Sequence, residues 1–180
     1  WIFAPVWITL YIAMSVAIWL IWINPQRKEK IISLLIFNIL AFGASAWGSY
    51  VTNLYKEPWY SGIIKPSFNP PDWIFAPVWI TLYIAMSVAI WLIWINPQRK
   101  EKIIYIYFIH LLINGSWSIF FFGLHLILAS LIIIAVIIFF VIWLIKLYYP
   151  INKLSSFLMV PYLLWLSYAF VLNFYIFILN

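Results

Sequence analysis

Six uninterrupted apolar runs, each near the length of a membrane-crossing helix, constrain this chain more than any other feature. They are Ile2–Ile23, Ile31–Val51, Trp73–Ile95, Ile103–Gly123, His125–Tyr149 and Leu154–Leu179, and none contains an acidic residue. About 20 apolar residues in helical form span the hydrocarbon core of a bilayer. Runs of this length are too long for strands and lack the alternation of an outer-membrane barrel. Lys146 lies near an end of its run, where a long side chain can carry its charge to the headgroups. Composition agrees: 68% of the residues are hydrophobic and 8% are charged, against about 45–50% apolar usage in a soluble domain. Too few charges are present to cover a soluble surface, whereas lipid accepts outward-facing apolar side chains. The expected fold class is an all-α polytopic membrane protein, in a bacterial envelope membrane or an organellar outer membrane.

The net charge of +6 is distributed as a topology signal and does not point to nucleic acid. Arg27, Lys28 and Lys30 precede the second run, Arg99, Lys100 and Lys102 follow the third, and Lys146 and Lys153 flank the connection between the fifth and sixth. If every run crosses, these eight share one face, and the positive-inside rule makes it cytoplasmic. Lys56 and Lys65 fall on the other face, offset by Glu57 and Asp72. The chain has no cysteine, which excludes disulfides and thiolate metal sites. It opens without an initiator Met or a cleavable signal pattern, as expected of a fragment or processed product.

Most connections between runs are short. The exception is the loop of residues 52–72, whose Pro58, Pro66, Pro70 and Pro71 rule out a continuous helix. A stiff loop of this length is unusual enough to indicate a function such as a lid.

Residues 1–30 are identical to residues 73–102. Solenoid repeats diverge and recur along a whole chain, but here the other segments do not resemble the duplicated one. The pattern reads as a recent or artificial duplication or an assembly error. The expected organisation is an extra N-terminal helix in residues 1–30 and a five-helix transmembrane domain in residues 31–180. Both copies have the same charge polarity and would cross in the same direction. They would compete for one slot, which the second copy, held by short connections on both sides, is expected to win.

Three stretches carry a family resemblance. They are WYSGIIKPSFNPPDWIFAPVWITLY at residues 59–83, INGSWSIFFFG at 113–123 and VPYLLWLSYAFVLNFYIFILN at 160–180. In this order and spacing they resemble the translocator protein / tryptophan-rich sensory protein family (TspO/MBR), over some five-sixths of the chain. The resemblance implies a five-helix bundle, often a homodimer, that binds tetrapyrroles such as protoporphyrin IX and haem, and in some members sterols. It implies no required cofactor, with porphyrin or haem held as ligand. The additional first helix stands outside the family pattern. Sterol-binding members carry a basic residue after a C-terminal Tyr, whereas Tyr175 is followed only by IFILN, which weakens a sterol assignment.

The residues themselves offer a pocket. Trp165, Ala169, Leu172 and Asn173 share one helical face, and the small residue one turn from the indole leaves a niche for a flat aromatic ligand. Phe75, Trp79, Leu82 and Met86 make a similar stripe, with Ala76 and Pro77 beside it. The resemblance sets these stripes face to face, and makes Trp79 and Trp165 the porphyrin-binding pair. The expected ligand-binding set is Trp79, Trp165, Ala169, Leu172, Asn173, Phe75, Ala76, Val78 and Trp117. The expected lid set is Trp59, as apolar plug, with Lys65, Pro66, Pro70 and Pro71, Lys65 lying near the propionates. Against this stands the interfacial aromatic belt, which accounts for Trp22, Trp94, Trp143 and Tyr148.

His110 sits inside an apolar run, where a polar residue is costly. Haem-iron ligation is one reading and an interhelical hydrogen bond the commoner one. His125, at a helix boundary, needs no role. Asn38, Asn114 and Asn173 read as interhelical hydrogen-bonding residues. Ala41, Ala44, Ser45 and Gly48 have the small-residue spacing that lets helices approach closely, within the bundle or between subunits. No catalytic or metal-ligating constellation appears. The leading expectation is a membrane tetrapyrrole-binding sensor, sequestering protein or transporter. The alternatives are a light-dependent porphyrin-degrading enzyme using Trp79 and Trp165, and a structural partner protein that binds ligand incidentally.

Overall fold

A computed structural model describes residues 25–180 together with Ser15. The first apolar run and the proposed extra helix therefore lie outside the described residues. Two compact units divide at Ile36 and Phe37. The first contributes the opening of helix α1, where the Ser33 hydroxyl donates to the Lys30 carbonyl.

The second unit contains the bundle. Helix α1 is Pro25–Tyr55, α2 is the short Trp59–Gly62, and a 3-10 turn at Asp72–Ile74 leads into α3, Phe75–Trp94. Helix α4 is Glu101–Ser118, continued by a π-helical turn at Ile119–Gly123. Helix α5 is Ile127–Tyr148, α6 is Lys153–Leu158 and α7 is Val160–Leu179. Five of these spans are long and apolar enough to cross a membrane. The protein is a multi-pass integral membrane protein. Helices are the solution lipid imposes, since each satisfies its backbone polar groups internally.

The boundaries depart from the apolar runs where local chemistry takes over. Helix α1 is already helical over 25–30, ahead of Ile31, where Gln, Arg, Lys and Glu are good helix formers. The last run is not one helix. Pro161 stands in the first turn of α7, where its missing N–H is tolerated, and it interrupts the ladder after Leu158. His125 adopts φ 56°, a left-handed conformation that ends the α4 segment and redirects the chain into α5.

The core runs between α3, α4, α5 and α7. Met86, Ala89, Ile90 and Ile93 of α3 are fully buried, as are Tyr107, Val141, Leu144 and Tyr162. The copy of the duplicated sequence at 73–102 thus supplies α3. Helix α5 packs on both α4 and α7, and α3 on α6.

Within this unit, the small residues of α1 face α4. A Cβ on Gly115 would lie 3.7 Å from the Ala44 carbonyl oxygen, and one on Gly48 would lie 3.2 Å from Ser118 Oγ. Ala41 is fully buried. The small-residue spacing is therefore used inside the bundle. The opposite face of α1 exposes Ile39, Trp47, Tyr50 and Leu54, as expected of a helix solvated by lipid.

The connections at Asn96–Lys100 and Tyr149–Asn152 meet at one end, where Asn96 Nδ2 donates to the Ile151 carbonyl at 3.2 Å. Arg99 folds back over the Trp94 ring at 4.3 Å. The loop after α1 lies at the other end, which is where the charge pattern puts it.

Candidate functional site

Between the lid end and the middle of the bundle lies a cavity of about 530 Å³, within the range of drug-sized ligand sites. Its walls come from α1, α3, α4, α5 and α7. Helix α3 contributes Phe75, Ala76, Trp79, Ile80 and Tyr83, and α7 contributes Trp165, Leu166, Ala169, Leu172, Asn173 and Ile176. These sets follow helical spacing, so each helix turns one continuous face inward. Trp117, Phe121 and Phe122 close the α4 side.

The structure brings together Trp79, Trp165, Ala169, Leu172, Asn173, Phe75, Ala76 and Trp117 on this lining. Val78 is not among them. One residue from Trp79, it turns about 100° away and packs against the hydrophobic core. The anticipated α3 stripe also changes course beyond Trp79. Leu82 and Met86 are buried in the core, and Tyr83 takes the cavity position.

The indoles are held by other aromatic rings. Trp79 lies 5.5 Å from Tyr83 and 6.2 Å from Tyr162, ring centroid to centroid. Trp165 meets Phe75 edge-on at 5.8 Å. Trp117 stacks on Phe121 at 4.9 Å, with 14° between the planes. Such contacts each add about 0.5–1.5 kcal/mol beyond burial and restrict ring rotation.

Asn173 is committed to the scaffold. Its Oδ1 accepts from Trp117 Nε1 at 3.2 Å and Ser130 Oγ at 2.9 Å, and its Nδ2 donates to the Ile127 carbonyl at 3.2 Å. Its amide thus joins α4, α5 and α7 and fixes the Trp117 indole.

On the cavity wall, Tyr83 donates to Asn114 Oδ1 at 2.8 Å, and Asn114 Nδ2 donates to the Tyr162 hydroxyl. That hydroxyl lies 3.0 Å from His110 Nε2. His110 is fully buried outside the cavity lining, where its ring cross-links α4 to α7 through Tyr162. Among the described residues, no group of three or more His, Asp or Glu gathers in a metal-ligating arrangement.

The residues expected to form a lid are not on the cavity lining. Trp59 stacks on His125 at 4.3 Å and meets Phe121 edge-on at 5.3 Å. His125 thus has a part in seating the loop that its boundary position did not reveal. Lys65 does not reach the cavity. Its ammonium lies over the Tyr60 ring at 4.1 Å, a cation–π placement that uses its length. Pro66 is buried, Pro70 half-buried and Pro71 exposed; they shape the loop.

Residues outside the expected set tie this loop to α7 and the residue after it. Tyr168 donates to the Phe68 carbonyl at 2.7 Å. The Asn180 side chain donates to the Ile64 carbonyl at 3.0 Å and accepts from its N–H at 2.9 Å. Buried Tyr60 has its phenol pushed above the ordinary value of 10, first because burial disfavours the phenolate and next because Asp72 is near. It stays a neutral donor toward Asn69 Oδ1, at 3.3 Å. Lys56 and Asp72 form an ion pair at the lid end of the cavity, and both line it.

The profile of the TspO/MBR family matches this chain over residues 1–47 and again over 35–179. The chain belongs to the TspO/MBR family. A relative named tryptophan-rich protein TspO, from Archaeoglobus fulgidus, is 37% identical over 147 residues, covering 81% of this chain and 94% of its own length. One of the same name from Chlorobaculum tepidum is 34% identical over 156 residues, 85% of this chain and 99% of its own. The human translocator protein is 33% identical over 125 residues, 64% of this chain and 71% of its own. The two matches to the TspO/MBR profile overlap at residues 35–47, so residues 1–30 resemble the family in their own right, as a duplicate of residues 73–102 must.

Proposed function

We propose that this protein binds a planar tetrapyrrole in the cavity beneath the lid, and through it senses, sequesters or moves that ligand in the membrane. The observation that carries the reading is the pairing of Trp79 and Trp165, which reach one cavity of about 530 Å³ from two different helices. Flat aromatic faces on the lining favour a flat conjugated ligand, and the apolar lining favours one that partitions into lipid. Family membership supports the same reading, and the names of the relatives point to sensing and translocation.

The test is quenching of Trp fluorescence by protoporphyrin IX in nanodiscs. Combining Trp79→Phe with Trp165→Phe is expected to weaken binding about tenfold or more, since each indole contributes stacking on the order of 1 kcal/mol. Unchanged affinity would sink the site assignment.

One observation favours light-dependent porphyrin degradation as a second reading. Trp79 contacts Tyr162, which is hydrogen-bonded to His110, so an oxidised indole would have a phenol–imidazole pair beside it. Under illumination this reading expects a new pigment that either Trp substitution abolishes. A porphyrin spectrum that stays constant in light would count against it.

A further inference from the structure

Lys56 and Asp72 stand apart from the rest of the cavity wall. Among the described residues, the charged part of the lining consists of these two. They meet across the lid end, Lys56 just beyond α1 and Asp72 at the 3-10 turn leading into α3, and they are ion-paired. The partners are unequally placed. Lys56 has a quarter of its side chain exposed and lies 5.2 Å from the Tyr60 ring, whereas Asp72 is 64% exposed. If the pair separates, Asp72 can be solvated by water at little cost. Lys56 is held against the wall and keeps its need for a negative partner. The pair is thus set up to exchange its carboxylate. Lys65 is not equivalent, because it does not line the cavity.

We propose that Lys56 is the anion anchor of this cavity: a carboxylate on a planar, otherwise apolar ligand displaces Asp72 and takes its place on the Lys56 ammonium. The anchor rests on the reading of the cavity as a ligand site, and for a tetrapyrrole the carboxylate is a propionate. It fixes the orientation of the ligand, with its charged edge toward Lys56 and its conjugated plane against the Trp79 and Trp165 indoles. Asp72 is then a competitor that sets affinity for acids and excludes neutral analogues from no contact they need.

The experiment uses the full chain in phosphatidylcholine nanodiscs, which carry no net surface charge, and two probe pairs. One is protoporphyrin IX against its dimethyl ester; the other is pyrenebutyric acid against pyrenebutanol. The acid is expected to bind roughly five- to tenfold more tightly than its neutral partner in each pair, the scale of a partly exposed charge-assisted hydrogen bond. Lys56→Met should abolish the difference between the acid and its neutral partner in each pair, and circular dichroism with size-exclusion chromatography checks that the variant is folded. Asp72→Asn should tighten acid binding severalfold. If Lys56→Met keeps the acid preference, or the native protein has none in either pair, the anchor is overturned. If both porphyrins fail to bind while pyrenebutyric acid binds in a Lys56-dependent way, the anchor stands and the tetrapyrrole reading falls.

Discussion

The Trp117 indole donates its N–H to Asn173 Oδ1 at 3.2 Å, across the gap between α4 and α7. The same oxygen accepts from Ser130, so one carboxamide locks an aromatic wall residue to two other helices. Asn173→Ala leaves the half-buried indole N–H without its acceptor. It should destabilise the protein by about 1–3 kcal/mol and weaken ligand binding severalfold as Trp117 loses its fixed orientation. Unfolding in SDS and a quenching titration measure the two effects; a change in neither would mean that Asn173 is dispensable.

His110→Phe separates the structural from the ligating reading. It should lower stability by roughly 0.6–2 kcal/mol, the range for interhelical hydrogen bonds in membranes. The absorption spectrum of added haem should not move. A shifted Soret band would show that the imidazole reaches the iron.

The glycines of α1 should respond unequally. A Cβ on Gly43 meets nothing within 4 Å, so Gly43→Ala should stabilise by about 0.5–1 kcal/mol through helix propensity alone. Gly48→Leu must force its side chain into Ser118, 3.2 Å from the first added carbon, and overpacking of this kind costs about 1–3 kcal/mol. Equal effects at the two sites would contradict the packing described for α1 and α4.

The lid is held at Ile64 and Phe68 by side chains from the far end of the sequence. Tyr168→Phe combined with Asn180→Ala should release it. Amide exchange at residues 63–69 is expected to accelerate roughly 30- to 150-fold, since the three hydrogen bonds removed each contribute on the order of 1 kcal/mol and about 1.4 kcal/mol is tenfold. Exchange in α5 should stay as it was. If the loop is equally protected in the variant, the prolines alone hold it.

Much of this architecture is legible in the residues. The five spans follow from run length, because lipid leaves the backbone few alternatives, and the α7 face from Trp165 to Asn173 follows from helical spacing. What escapes is whatever depends on contacts distant in sequence. Nothing near Lys56 announces Asp72 as its partner. The lysine within the recognisable motif, Lys65, draws attention instead, although its reach is taken up by Tyr60. Likewise His125 gains its contact with Trp59 only because a left-handed turn folds it back. Val78 is carried in by its neighbours in the motif, while the helix turns it away.

Helix α3 has 20 residues and so a length of roughly 30 Å, about the thickness of the hydrocarbon layer. Asp72 precedes its first residue by three positions, so the Lys56–Asp72 pair stands where the medium changes from oil-like to aqueous within a few ångströms. Coulomb attraction scales inversely with the local dielectric, which differs by more than tenfold across that boundary. How firmly the cavity mouth is fastened therefore depends on the depth at which the bundle floats as well as on the separation of the two charges.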